Sequence, residues 1–262
     1  MISIIITAYK EHNTIAKAIE SFLSQKINQN HEIVVVAPDK ETINAAKKYK
    51  NIKIIKDENK GKPSALNMAF SRCKKSDILV LTDGDVYVSD SSVNKLVKCF
   101  NDKSVGAATG RPVSLNPKNN IYGYWSHLLT DVGAHETRLK LSKKNKFITC
   151  SGYLMAIKNN IIEKIPDNAL SDDAVISNLI YSKGYRIAYS PESIVYVKYP
   201  DNFKDWIKQK RRSTGGYLQI KKFAYRRDSM RSFTKESLGI LRVFSYPKNF
   251  KEILWTLLLI IA

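Results

Sequence analysis

Leu79-Val-Leu-Thr-Asp83-Gly84-Asp85 places two carboxylates around one glycine, directly after an apolar run. A run of that kind reads as a buried strand, and in open α/β sheets ligands bind beyond the carboxyl ends of strands. Residues i and i+2 of an extended segment share a face, and glycine lets the backbone approach a ligand. Hard divalent cations take carboxylate oxygens and readily add phosphate oxygens. Asp83 and Asp85 therefore suit a clamp for a metal–diphosphate, although Asp-Gly is also a common turn. A second acidic pair, Asp172-Asp173, opens a helix. The helix dipole alone favours acids there, but two adjacent carboxylates can also supply a general base, its pKa raised by the like charge beside it.

Three further groups could act on phosphate or on a base. In Gln209-Lys-Arg211-Arg212, Gln209 and Arg212 stand at i and i+3 and share a helix face. The guanidinium fork matches phosphate oxygens, although these residues also belong to a basic stretch. Asp39, after a strand ending at Ala37, could accept a hydrogen bond from a nucleobase or simply end a turn. Gly61-Lys62-Pro63 opens a helix whose N-terminus favours anions, with Lys62 adding charge.

Other chemistries are excluded by pattern. Gly61-Lys62 lacks the earlier glycine of a phosphate-binding P-loop, since Lys56 stands there. No G-x-G-x-x-G follows a strand, and no G-x-S-x-G elbow occurs. His135-Glu136 is followed by Leu139 where a zinc protease helix needs its second histidine. Four scattered His and three isolated Cys (Cys73, Cys99, Cys150) argue against a zinc site and a disulfide framework, and fit a reducing compartment.

The elements that must hold these residues follow from periodicity. Apolar runs at 2–8, 32–37, 52–55 and 78–82 read as strands. Between them lie a helix with Ile15, Ala18, Ile19, Phe22 and Leu23 on one face, a short helix at 42–49, and a helix opened by Pro63. Strands alternating with helices predict an α/β fold, a doubly wound, mostly parallel sheet with helices on both faces. Further along, the pattern predicts a helix around Val93–Phe100, a strand at 105–109, one helix over 122–141, an extended segment at 147–157 and a helix at 172–182. Strands at 185–189 and 194–197 follow, then helix from Phe203 interrupted at Gly215-Gly216. The organisation is a ligand-binding half at 1–110, a second half at 111–215 joined to it without a seam, and a basic segment at 216–262.

Length and charge bound the partners. A chain of 262 residues is long enough for a substantial core, and a formal charge of +19 points to a polyanion: nucleic acid, phosphorylated ligands or an anionic membrane face. The excess is local. Lys204 to Lys251 holds 14 basic and three acidic residues, next to the uncharged run Ile253–Ala262. That run is half of what a spanning helix needs. It reads either as a helix docking on a core or as the start of a spanning helix, and the basic, aromatic-rich flank favours the second, with the folded part on the cytoplasmic side of the cell membrane. No charged region with an apolar stretch of a signal peptide opens the chain. A nucleic-acid partner is disfavoured, because no aromatic–basic RNA-binding motif occurs.

Taken in order, Ile4-Ile-Ile-Thr-Ala-Tyr-Lys-Glu11, Asp39, Gly61-Lys-Pro-Ser-Ala-Leu-Asn67, Asp83-Gly-Asp85, Ser151-Gly152, Ser171-Asp172-Asp173 and Gln209-x-x-Arg212 resemble family 2 glycosyltransferases, nearest the hyaluronan, chitin and cellulose synthase branch. The resemblance covers about residues 1–215. It implies the GT-A fold and inverting transfer from a nucleotide-diphosphate sugar, usually UDP, with Mg²⁺ or Mn²⁺. It implies that Thr7, Ala8, Tyr9, Glu11 and Asp39 hold the nucleoside, that Asp83 and Gly84 meet the nucleotide, and that Asp85, with Asp83, binds the metal. Asp173, second of the acidic pair, becomes the base toward a hydroxyl of a glycan or lipid-linked acceptor, with Asp172 beside it in the catalytic pair. Lys62, Gly152, Gln209, Arg211 and Arg212 fall near the diphosphate or the acceptor. Two departures stand out: the turn Ala37-Pro38-Asp39 lacks the paired acids of many members, and Ser213 replaces the tryptophan of processive members. A polyprenyl-phosphate sugar synthase is the related alternative.

Overall fold

The computed structural model describes residues 1–223 and 242–261. Part of the basic segment expected at 216–262 therefore lies outside the described residues.

The core is built on β1 (Ile2–Thr7), every residue of which is buried. Its side chains alternate between two apolar layers: Ile5 packs with one, Ile4 and Ile6 with the other. A strand covered on both faces needs apolar residues at every position, which explains its unbroken run. β2 (His31–Ala37), β3 (Lys53–Lys56) and β4 (Ile78–Asp83) join it in parallel, as the alternating pattern requires. Helices α1 (Ile15–Leu23), α2 (Lys40–Ala46) and α3 (Lys62–Arg72) make the crossovers. Leu23, expected on the inner face of α1, is instead exposed.

The sheet has eight strands in the order β3-β2-β1-β4-β7-β6-β8-β5. β5 is Tyr87–Val88, a short edge that the sequence pattern had not marked. After it come α4 (Ser92–Val97) with a short 3-10 extension and β6 (Val105–Ser114), which runs straight through residue 110, so the two halves share one sheet. β7 (Leu154–Lys158) inserts antiparallel between β4 and β6, pairing Leu154 with Thr82. This single reversal brings the residues just before β7 to the carboxyl end of β4.

Three expectations are corrected. The extended segment at 147–157 joins the ladder only from Leu154. Its earlier backbone is satisfied by side chains, with Ser151 N donating to Thr109 Oγ1 at 2.8 Å and Cys150 N to Ser177 Oγ at 2.9 Å. The two strands expected at 185–189 and 194–197 are one strand, β8 (Arg186–Val197). Its register against β6 shifts between Thr109 and Arg111, and this irregularity accommodates Pro191, which has no N–H for the ladder. The helix from Phe203 does not break at Gly215-Gly216: α8 spans Phe203–Phe223.

The helix expected at 122–141 is a continuous rod made of α5 (Ile121–Leu128), a π-helical stretch (Leu129–Glu136) and α6 (Thr137–Lys143). α7 (Asp172–Ser182) begins at the acidic pair. α9 (Phe250–Ile261) docks on α5: Tyr124 and Thr256 share a hydroxyl hydrogen bond of 2.7 Å, and Trp125 Nε1 donates to Trp255 O at 2.6 Å. Twelve residues span about 18 Å, and no helix among the described residues is long and apolar enough to cross a membrane. The other side of α9 leaves Leu254, Leu257, Leu258 and Ile261 exposed.

Candidate active site

Thr7 ends β1 and is in register with Asp83 at the end of β4. Its hydroxyl reaches Thr82 O at 3.2 Å and Asp83 Oδ1 at 3.3 Å, which fixes the carboxylate at the strand end. Gly84 follows, and no other residue fits there: an added Cβ would stand 2.3 Å from Glu11 Oε2 and 2.8 Å from the Ala8 Cβ. Ala8 and Glu11 thus form the floor beneath Asp83-Gly84-Asp85. Glu11 Oε2 is buried without a hydrogen-bond partner. Burial first, then Asp85 and Asp83, push its carboxyl up to about 8, so it is a neutral acid at pH 7.

α3 delivers Lys62. Gly61 takes a positive φ of 94° to start the helix, a conformation that favours glycine. Lys62 Nζ lies 2.6 Å from Asp83 Oδ1 and 3.3 Å from Asp172 Oδ2. Burial works against its charge, but Asp172 and Asp83 outweigh it and hold the ammonium protonated. One cation thereby ties the end of β4 to the start of α7, segments 89 positions apart. Asn67, one α3 turn further on, holds the loop leading to α7 by bonds to both Ile165 N (2.9 Å) and Ile165 O (2.8 Å).

Asp173 is seated by three donors. Ser171 Oγ (2.6 Å) and Ala174 N (2.8 Å) reach Oδ1, and Gly152 N (3.1 Å) reaches Oδ2. Burial and then Asp172 raise its pKa against the opposing pull of Ser171. Gly152 arrives through the turn before β7, where Thr82 Oγ1 also donates to Tyr153 O at 2.7 Å.

α8 closes the site. Gly216 lies so near the α7 turn that a Cβ there would be 2.5 Å from the Ser171 Cβ, and Gln219 holds the same turn by accepting from Leu170 N and donating to Asn168 O, both at 2.8 Å. Gly216 therefore serves a close helix approach, and the pair does not end the helix. Gln209 Nε2 donates to Tyr153 Oη at 3.4 Å, and the Arg212 charge reaches Asp85 and Tyr153.

A cavity of about 300 Å³ joins these groups: Lys62, Asp83, Gly152, Asp172, Asp173 and Gln209 all line it, as does Arg212. Arg211 does not. It is exposed on α8 and outside the cavity wall, because i+2 on a helix turns away from the face that Gln209 and Arg212 share. Asp39 caps α2 through Thr42 N (2.9 Å) and fixes Lys10 N (2.9 Å); these bonds outweigh burial and lower its pKa. Tyr9 is exposed beside it. Several wall residues carry no motif in the sequence, Tyr153, Tyr199 and Arg138 among them. Tyr153 and Tyr199 meet edge to face at 5.8 Å, and Arg138 is buried on α6. Their only signals were a tyrosine after Ser151-Gly152 and lone residues in ordinary patterns.

No cluster of three or more His, Cys, Asp or Glu able to hold a metal occurs among the described residues. Asp83 lines the cavity, and Asp85 stands two residues on, past Gly84; the two offer a hard, oxygen-only donor pair. Together with the unpartnered Glu11 oxygen beneath them, this fits a cation that takes its remaining ligands from phosphate and water.

The arrangement of an α/β sheet, a Asp-Gly-Asp strand end and a facing acidic pair defines the class of GT-A glycosyltransferases. The mannosyltransferase PcManGT from Pyrobaculum calidifontis, solved with GDP-Man and Mn2+, superposes with a TM-score of 0.67 over 97% of this chain and 72% of its own, at 20% identity. A family model described as Glycosyltransferase like family 2 matches residues 1–216, and the chain belongs to that family. Among curated proteins it is 26% identical over 237 residues to the probable glycosyltransferase YdaM of Bacillus subtilis, covering 84% of this chain and 56% of YdaM. It is 27% identical over 165 residues to the hyaluronan synthase of Streptococcus pyogenes, covering 59% of this chain and 39% of the synthase. The chain thus spans about half the length, or less, of these relatives.

Proposed function

We propose that this chain transfers a sugar, with inversion, from a UDP-sugar to a hydroxyl of a glycan or lipid-linked acceptor at the cytoplasmic face of the membrane. The observation that carries the reading is the Lys62 bridge between Asp83 and Asp172, which gathers the donor-side and acceptor-side acids around one cavity.

Thr7, Ala8, Tyr9, Glu11 and Asp39 surround the carboxyl ends of β1 and β2 and would hold the nucleoside, with Asp39 also bracing the loop through Lys10. Asp83 and Asp85 would hold Mg²⁺ or Mn²⁺, whose charge offsets that of the diphosphate. Asp173 accepts the proton of the acceptor hydroxyl. As it does so, the hydroxyl oxygen forms a bond to the anomeric carbon, the bond from that carbon to the diphosphate breaks, and the nucleoside diphosphate leaves with the electron pair. A carboxyl whose pKa is raised is the stronger base, and of the pair it is Asp172, not Asp173, that makes the ion pair with Lys62. Lys62 and Arg212 offset the charge that builds on the leaving group, and such preorganised charge is often the largest catalytic contribution.

The exposed apolar side of α9 and the basic residues before it support a seat on an anionic membrane surface. Product analysis with a panel of UDP- and GDP-sugars on glycan and lipid-linked acceptors tests the proposal. Transfer from a UDP-sugar, with inverted configuration and abolished by Asp173→Asn, is expected; turnover that survives Asp173→Asn contradicts it.

A further inference from the structure

The cavity has a second charged feature that the transfer chemistry leaves unused. Arg138, on α6, lines it and is 9% exposed. Its Nε donates to Thr149 O at 3.1 Å, but its buried Nη1 has no hydrogen-bond partner, and it makes no ion pair with a described carboxylate. The ionisable groups that its charge acts on include Cys150, Tyr189 and Tyr199. Burial drives all three upward, Cys150 and Tyr189 to about 12, so none supplies an anion at neutral pH. A buried guanidinium without an anion is costly to maintain. The π-helical stretch beside it, Leu129–Glu136, adds Leu129, Thr130 and Ala134 to the same wall.

Position separates this charge from the donor side. Lys62 is committed to Asp83 and Asp172, and Arg212 acts on Asp85 and Tyr153. Arg138 Nε holds Thr149 O, three residues before Gly152, whose amide donates to Asp173 Oδ2 at 3.1 Å, so the guanidinium lies on the side of the proposed base. We infer that Arg138 receives an oxyanion carried by the acceptor, a phosphate ester or a carboxylate near the hydroxyl that Asp173 deprotonates. The planar fork of donors matches either group. This rests on the reading of Asp173 as the base, and it assigns the acceptor's charge, which that reading leaves open.

The test measures binding of glycerol 3-phosphate, methyl β-glucuronide and the neutral methyl β-glucoside to wild type, Arg138→Lys and Arg138→Gln, each with and without UDP and Mn²⁺. An anionic probe should bind wild type more tightly than the glucoside. It should weaken about 10-fold or more in Arg138→Gln and less in Arg138→Lys, while UDP affinity stays unchanged. Preference for the phosphate assigns a phosphate-bearing acceptor, and preference for the glucuronide a uronate-bearing one. The inference is overturned if neither anion outbinds the glucoside, if Arg138→Gln binds as wild type does, or if UDP displaces the probe, which would put the anion in the diphosphate position. Absence of UDP binding to wild type would count against the donor reading alone. Should Arg138→Gln not fold, UDP competition on wild type and the Arg138→Lys comparison still decide.

Discussion

The amide of Gly152 donates to Oδ2 of Asp173 at 3.1 Å, across 21 positions of sequence. This bond exists because β7 runs antiparallel to β4 and carries the Ser151-Gly152 turn to the end of the donor strand. It holds the carboxylate proposed as the base in place while leaving it on the cavity wall, together with the Ala174 amide and the Ser171 hydroxyl. Asp173→Asn keeps the size and most of these bonds but removes proton acceptance. A fall in kcat of about 10²–10⁴-fold is expected, with the UDP dissociation constant held within about twofold, checked by steady-state kinetics and titration calorimetry.

Lys62 balances two carboxylates, and Lys62→Met leaves both without their cation. Removing one partner of a part-buried pair is destabilising because the remaining charge stays desolvated. The melting temperature should fall, and kcat should drop by about 100-fold or more through lost charge stabilisation of the leaving group. Calorimetry and kinetics on the same preparation check both.

Gly215→Ala and Gly216→Ala separate helix propensity from packing. Propensity alone would favour alanine by about 1 kcal/mol at either position. A Cβ at 215 meets Leu170 Cδ1 at 3.4 Å, an ordinary contact, whereas one at 216 meets the Ser171 Cβ at 2.5 Å. Gly215→Ala should therefore be neutral or mildly stabilising. Gly216→Ala should push α8 from the acidic turn, lowering kcat about 10-fold or more with little change in donor affinity. Equal behaviour of the two variants in kinetics and thermal melts would contradict the packing argument.

Glu11 gives the fold a pH dependence. In the unfolded chain its carboxyl loses its proton near 4.5, but in the folded protein it keeps it to about 8. Between those values the folded state binds the extra proton, so stability falls as pH rises through that window and is level below it. Glu11→Gln lacks the titration. In metal-free protein the variant's melting temperature should gain several degrees on wild type between pH 5 and pH 8, at about 2–4 °C per kcal/mol. Parallel curves would contradict the assignment.

Much of this was legible in the residues themselves. The apolar runs at β1, β2 and β4 read as strands buried on both faces, which put Asp83 and Asp85 at a carboxyl end. What resisted reading depends on partners distant in sequence. β8 read as two strands, 185–189 and 194–197, because the register shift that carries it past Pro191 is set by its pairing with β6. Gly215-Gly216 looked like a helix end because the surface they pack against is the Ser171 turn. Arg211 resembled its neighbours until the helix assigned it a different face. Arg138 carried no motif at all, and its interest comes only from the missing partner of Nη1.

The central claim is that Asp83 and Asp85 hold a cation-bound nucleotide diphosphate beside Asp173. Its most direct measurement is the melting temperature of the purified chain against a UDP-sugar at saturating concentration with Mn²⁺, in wild type, Asp85→Asn and Asp173→Asn. At about 100 times the dissociation constant the expected stabilisation is about 2.7 kcal/mol, or several degrees, in wild type and Asp173→Asn, and it should be lost in Asp85→Asn. An identical shift in Asp85→Asn, or no shift with any nucleotide sugar, would contradict the account.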